Sequence, residues 1–303
     1  MKTILIGSVT SSQTMLESMI DVKFPISFVF SLDDKHMQNV SGYQPLHELA
    51  KSKGIPYKKF VKINDQENID IIKNIDPDYI FIIGLSQLVK KEIIDIAKIG
   101  VVGFHPTALP KMRGRAANVW QVLLGIHKTK CSLFLIDEGI DSGDILGQEE
   151  YVIEDTDYAE DVRRKLNLAL ETLSKRVLKQ IMDGTLLPVK QNEAEATYLL
   201  KRSQEDGEIN WNQPIKDIHR LIRAVSKPYP GAFGMYDGKH KIIIWRAEIR
   251  ENKKYIGING QIAKIGESCI DVVCTDGLLH ITEYENVDDV KIFVGHKLKM
   301  TGQ

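Results

Sequence analysis

His105 closes an apolar run in "GVVGFHPTALPKMRGRAANVW", residues 100–120, and stands directly before a proline. An imidazole with an ordinary pKa near 6.5 can take up or release a proton at neutral pH, so this ring is a candidate general base. Further along, "FLIDEGIDSGDIL" places Asp137, Glu138, Asp141 and Asp144 with two glycines in one loop after another apolar run. Any of the four carboxylates could face the imidazole, fix its tautomer and stabilise its charged form. Taken singly, each feature also has a plain structural reading: a satisfied, partly buried histidine and a solvated Asx-turn. Arg113 and Arg115 flank Gly114, and guanidinium groups there suit phosphate or carboxylate recognition, with surface solvation as the alternative. In "GSVTSSQ", residues 7–13, the hydroxyl residues around Thr10 and Ser11 either present backbone N–H groups to an anion or simply cap a helix.

The elements that must position these residues follow from periodicity. The first third alternates apolar runs with helical patterns, as in "TILIGSV", "TMLESMIDV", "SFVFSL" and "YIFIIGL", which predicts a parallel sheet with crossover helices. In such a sheet ligands bind beyond the carboxyl ends of the strands, where "GSVTSSQ", "GLSQLV" and "GFHPTALP" all fall. A long packing helix is expected over 158–184. Beyond it short β-rich runs such as "KIIIWRAEI" and "ESCIDVVCT" predict a small barrel. With 303 residues, two domains are expected: 1–200, α/β and Rossmann-like, and 201–303, an OB-like β-barrel. Lys and Arg number 40 against 41 Asp and Glu, which lacks the electrostatic footprint of a nucleic-acid or membrane-surface binder. Cys131, Cys269 and Cys274 are too few and scattered for a disulfide framework or a closed zinc site. No apolar stretch approaches the length of a membrane span, and "MKTILIGSV" lacks a signal peptide's long apolar core, so a cytoplasmic protein is expected.

The segments "GFHPTALPKMRGRAANVW" and "DEGIDSGDIL", in this order, resemble the folate-dependent formyltransferases, and "YLLKRSQEDGEINWNQPIKDIHRLIRAVSKPYPGAF" resembles that family's C-terminal barrel. The family includes methionyl-tRNA formyltransferase, glycinamide ribonucleotide transformylase and the N-formyltransferases of nucleotide-linked amino sugars. The resemblance implies 10-formyltetrahydrofolate as co-substrate, no metal, and His105 and Asp141 as catalytic residues. It implies a pterin held partly by backbone groups of two segments, which implicates Leu85, Gln87, Leu88, Ile136, Asp137 and Glu138. Thr10, Ser11, Arg115, Lys201 and Arg202 are candidates for diphosphate or sugar contacts. A homodimer is an expectation from the family, with no interface located.

One departure stands out. The family's pattern is N-x-H, with an asparagine that helps stabilise the oxyanion, whereas Gly103 occupies that position here. A replacement donor is expected: protonated His105, together with a backbone N–H, an ordered water or the amide of Asn118. The tRNA enzymes carry a long basic loop after the second strand, where this chain has the acidic-to-neutral "SLDDKHMQNVSGYQP". The expected acceptor is therefore a nucleotide-linked 4-amino sugar used for surface-glycan biosynthesis, with no nucleic-acid partner. The alternatives are formylation of methionyl-tRNA, hydrolysis of formyltetrahydrofolate, and a non-catalytic folate- or nucleotide-binding homologue.

Overall fold

The computed structural model describes residues 1–302. Their contacts divide into two compact units: 1–117 with 128–152 and 164–199, and 118–127 with 153–163 and 200–303. Besides 200–303, the second unit thus takes in two segments that the expected 1–200/201–303 division gives to the first domain.

The first unit is built on β1 (Thr3–Gly7), β2 (Phe28–Leu32), β3 (Tyr57–Phe60), β4 (Tyr79–Ile83), β5 (Gly100–His105), β7 (Lys128–Leu135) and β8 (Ile145–Val152), in the order β3-β2-β1-β4-β5-β7-β8. Strands β1 to β5 pair in parallel, as the alternation predicts. The last two run antiparallel, adding an antiparallel edge to the parallel part that the alternation of the first third predicts. The reason is local: β7 and β8 form a hairpin around the acidic loop, and a mixed sheet commonly carries such strands at one edge. Helices α1 (Thr10–Asp21), α2 (Leu46–Ser52) and α3 (Gln66–Ile75) supply the crossovers, α4 (Lys91–Ile94) is a single turn, and α6 runs over Ala159–Asp183. Ile4, Ile6, Phe30, Ile80 and Val101 form the core of one face with Ile69 and Ile72 of α3. A two-residue parallel pair, β6 (Arg113–Gly114) with β9 (Tyr198–Leu199), ties the chain after His105 to the segment after α6.

The second unit holds α5 residues 118–123 (the helix is Ala117–Leu123), α7 (Ile215–Val225), β10 (Ala232–Tyr236), β11 (His240–Arg250), β12 (Ile262–Ile265), β13 (Ile270–Cys274), β14 (Gly277–Asn286) and β15 (Leu298–Lys299). The strands form one antiparallel sheet in the order β12-β13-β14-β11-β10-β15. Register shifts in β11 around Arg246 give the long strand the bend such a sheet needs to curl. The edges then meet: a Gln261–Lys297 bridge and the Ile262 N–H donating to His296 O at 2.9 Å join the two ends, completing the expected small barrel.

At the first strand-to-helix turn several polar groups are engaged within the fold. The buried Ser12 hydroxyl accepts from the N–H groups of Ser8 and Val9, at 3.0 and 3.2 Å, and donates to Ile83 O at 2.5 Å. The Thr10 N–H is taken by Gly42 O at 3.1 Å. These donors serve the fold, and one hydroxyl joins β1 to β4. Gly84, at φ +62°, permits this approach, since a Cβ there would lie 2.2 Å from Val9 Cγ2. Ser12→Ala removes the side-chain partner of a buried and a part-buried N–H group and of the Ile83 carbonyl, so it should destabilise by about 1–3 kcal/mol in urea unfolding.

Candidate active site

His105 ends β5 with only 5% of its surface exposed. Its Nε2–H donates to Met112 O at 2.7 Å, and Nδ1 lies 3.5 Å from Asp141 Oδ2. The Met112 carbonyl is aimed by an unusual backbone, φ +58° at Met112, and it also accepts from Thr107 Oγ1 at 3.3 Å. Asp141 has φ +50°, and its Oδ2 accepts from the Gly114 N–H at 2.8 Å. Two non-glycine residues in the left-handed region on either side of one imidazole represent strain of about 1–3 kcal/mol each, a cost that clusters at functional sites.

The scaffold holding this pair is extensive. Ser132 Oγ of β7 donates to Thr107 O at 2.7 Å, and Tyr151 OH of β8 donates to Pro106 O at 2.8 Å, bracing the chain that leaves β5. Gln191 Nε2 donates to Asp141 O at 2.8 Å and to Gly143 O at 2.7 Å, fixing the acidic loop. Gln191 is in turn gripped by Arg113, whose Nη2 reaches its Oε1 at 2.8 Å and Glu193 Oε1 at 2.6 Å. Arg113 is fully buried, so it positions the loop rather than meeting a free anion, which corrects one sequence reading of the Arg113/Arg115 pair. Within the loop, Asp137 Oδ1 accepts from the Gly139 N–H at 3.0 Å and from Ser142 Oγ at 2.7 Å. Gly143 is required there because a Cβ would lie 1.8 Å from Leu135 O.

Burial is the largest influence on His105 and pushes its pKa below the ordinary 6.5. The Asp141 carboxylate and the Met112 carbonyl oppose this. The ring is therefore neutral at pH 7, with its proton on Nε2 and a lone pair on Nδ1 beside Asp141.

Gly103 faces a filled space. It lies opposite Phe134 in register, and a Cβ on it would stand 2.9 Å from the Phe134 ring and 3.0 Å from Ile136 Cγ1. Phe134 is buried. An apolar ring thus occupies the room that a side-chain amide at position 103 would need. Asn118, the expected alternative donor, lies in the second unit, where its side chain hydrogen-bonds the Tyr229 phenol.

The two predicted pterin segments differ in how they are held. Gln87 uses its side chain internally, donating to Val61 O at 2.6 Å and accepting from the Ile63 N–H at 2.9 Å. Leu85 packs on the core, while Leu88 is 84% exposed with its carbonyl held by Asn64 Nδ2 at 2.8 Å. Ile136 donates its N–H to Val101 O at 2.7 Å and packs on the same core as Leu85. Glu138 pairs with Lys91 at 2.9 Å, which links its loop to the chain just after "GLSQLV". Among the described residues, the backbone N–H and C=O groups of Leu85, Gln87, Asp137 and Glu138 find no intramolecular partner. Such unpaired edges suit a heteroaromatic ring bearing alternating donors and acceptors.

Of the other predicted residues, Thr10 Oγ1 donates to Gly42 O at 3.3 Å, Ser11 is half-buried and Arg115 is exposed. Lys201 and Arg202 lie in the second unit, where Lys201 is exposed and the Arg202 guanidinium sits 4.9 Å over the Trp120 ring. Sequence reasoning missed the Met112 carbonyl, the Gly114 N–H and the Arg113–Gln191–Glu193 chain, none of which carries a spacing signal. Among the described residues no group of three or more His, Cys, Asp or Glu side chains is arranged to hold a metal, and no helix is long and apolar enough to cross a membrane.

In the chain a mixed α/β sheet is thus followed by a curled antiparallel barrel, and the sheet carries a buried His–Asp pair at the end of β5. The formyl transferase family model matches residues 1–178 and the formyl transferase C-terminal domain matches 201–291. The chain belongs to the formyl transferase family and is a formyltransferase. It is 30% identical over 302 residues to a methionyl-tRNA formyltransferase of Clostridioides difficile (strain 630), covering 99% of this chain and 96% of that one. Its fold is similar to an N-formyltransferase from Helicobacter canadensis in complex with folinic acid and dTDP-3-aminofucose, with TM-score 0.67, 21% identity, and 94% and 100% of the two chains covered. It is also similar to a methionyl-tRNA formyltransferase from Clostridium thermocellum, with TM-score 0.60, 22% identity, and 91% and 100% covered.

Two outcomes follow. Gly103→Asn should lower stability by about 1–3 kcal/mol through overpacking against Phe134, and kcat should not rise. Urea unfolding and steady-state assays of this variant check both. Because His105 is held neutral, the unfolded chain takes up its proton first on acidification. This contribution to stability is complete above pH 6.5 and is lost as pH falls toward the folded pKa, by at most ~1.4 kcal/mol per pH unit. Unfolding between pH 7.5 and 5.5 should show a shallower loss in His105→Gln than in the wild type.

Proposed function

We propose that this formyltransferase moves the formyl group of 10-formyltetrahydrofolate to the amino group of a nucleotide-linked amino sugar, in the making of a surface glycan. The observation that carries the chemistry is the neutral His105, with its Nε2 committed to Met112 O and its Nδ1 facing Asp141. The folate, when bound, supplies an activated formyl carbon; the backbone edges of Leu85, Gln87, Asp137 and Glu138 are the groups that would hold its pterin.

The acceptor amine must be neutral to attack and must shed a proton as the new C–N bond forms. His105 Nδ1 takes that proton, since Nε2 is already occupied. The imidazolium so formed lies between the Met112 carbonyl and the Asp141 carboxylate, both of which stabilise its charge. The Gly114 N–H keeps Asp141 Oδ2 in place throughout. As the formyl oxygen gains negative charge, its donors are main-chain N–H groups or a water, because both N–H groups of the protonated ring are already directed at Met112 O and Asp141. The proton His105 holds then returns to the departing folate nitrogen, which leaves the ring neutral again.

The acceptor reading rests on the chain after β2. There Asp34 accepts from Tyr43 OH at 2.6 Å and pairs with Lys59 Nζ at 2.5 Å, and these contacts hold its carboxyl below the usual carboxylate range. The nearest cation is thereby neutralised, and Asp33 adds a second negative charge. An RNA phosphate backbone is bound through clusters of unpaired cations, and this segment offers a single exposed lysine, Lys35, beside two aspartates. Small diphosphate contacts fall instead to Ser11 and Arg115 of the first unit, since the Thr10 N–H and hydroxyl are both taken by Gly42 O. A second reading, formylation of methionyl-tRNA, is favoured by the near full-length similarity to an enzyme of that name.

A panel of nucleotide-linked amino sugars assayed with 10-formyltetrahydrofolate should yield one acceptor that gains a formyl group by mass. Charged methionyl-tRNA should be formylated negligibly even at low salt, and efficient tRNA formylation there would reverse the choice of acceptor. Because the ring handles the proton in both directions, His105→Ala should lower kcat by about 10²–10⁴-fold. Activity within a factor of about two of the wild type would remove His105 from the chemistry.

A further inference from the structure

The second unit contains a cavity of about 630 Å³ that the transfer chemistry does not use. Its floor is one face of α7. Lys216, His219, Arg220 and Arg223 line it at positions i, i+3, i+4 and i+7, so the polar stripe of this helix is gathered around a concavity rather than spread in solvent. The opposite wall comes from Arg246 and Glu248 of β11 and from Asp155 and Tyr158. Four permanent cations therefore meet two carboxylates.

Arg223 is the unusual member. Only 5% of its surface is exposed, and its Nη1 donates to Asp157 O at 2.9 Å and Glu154 O at 3.4 Å, yet its Nε–H has no partner among the described residues. A buried guanidinium with an idle donor is costly unless an anion completes it. Arg246 reinforces the wall: its guanidinium lies 4.5 Å over the Tyr158 ring, whose OH is fixed by Ala247 O at 3.0 Å. Arg220 is partly offset by Asp217 at 3.2 Å, and Arg246 by Glu283 at 3.6 Å, so the unspent charge is concentrated on Arg223 and Lys216.

The geometry points to a binding site for a phosphorylated small molecule in this cavity, with the phosphate on Arg223, Arg246 and Lys216. A phosphate would meet the idle Nε–H of Arg223 together with Lys216 and Arg246, and guanidinium groups pair with phosphate oxygens in a fork. The volume falls within the about 300–1,000 Å³ range of small-molecule sites, so room remains beside the phosphate for a body the size of a sugar or nucleoside against Tyr158. The site is independent of which acceptor is formylated.

Titration calorimetry of the full chain with inorganic pyrophosphate, in phosphate-free buffer at low salt, tests this. Saturable binding at one site per chain is expected, weakened at least tenfold in Arg246→Gln and in Lys216→Gln, with thermal unfolding of both variants unchanged without ligand. Arg223→Lys, which keeps the charge but loses the fork, should weaken binding as strongly; should it fail to fold, the two surface variants still decide the matter. Absence of binding at millimolar pyrophosphate, or equal binding in wild type and both surface variants, would overturn the site. So would binding of RNA through these residues that pyrophosphate cannot displace.

Discussion

The active site depends on one buried imidazole held between two acceptors. His105 donates to the Met112 carbonyl and faces the Asp141 carboxylate, and much of the surrounding chain is arranged to keep those two oxygens where they are. Thr107 and the Met112 backbone aim the first. Gly114, Gln191 and, behind Gln191, Arg113 fix the second. Burial keeps the ring neutral, and the flanking oxygens make its protonated form acceptable when a proton arrives. A base that is neutral at rest yet stabilised when charged suits an amine that must lose a proton during attack.

Gly103 shows a second constraint. A replacement donor is expected for this position, and in the structure the space beside it is apolar: Phe134 and Ile136 fill the volume next to β5. Restoring an amide there would require removing apolar packing as well as adding a side chain. Position 103 therefore differs from the family's N-x-H arrangement in packing as well as in its missing amide.

Much of this is legible in the sequence because it rests on periodicity and on two local motifs. The β1 to β5 alternation, the curled barrel and the pairing of His105 with a carboxylate of "DEGIDSGDIL" all follow from short-range pattern. The antiparallel turn of β7 and β8 does not, since strand direction depends on how the 106–127 connection returns, which no local propensity encodes. Arg113 shows a different limit. Its spacing beside Arg115 suits anion recognition, but its partners Gln191 and Glu193 lie 78 and 80 residues away and carry no motif. The Arg223 cavity is hidden for the same reason: the helical stripe is visible in "IKDIHRLIRAV", but the wall opposite it is not.

Everything in the proposed transfer turns on His105 resting as the neutral Nε2–H tautomer, with Nδ1 open to a proton beside Asp141. Nitrogen–proton NMR of the chain carrying labelled histidine measures this directly, with His105→Gln assigning the signal. The account predicts a protonated Nε2 and an unprotonated Nδ1 at pH 7, and a titration midpoint below the ordinary 6.5. A ring that is doubly protonated at pH 7, or that carries its proton on Nδ1, would contradict it.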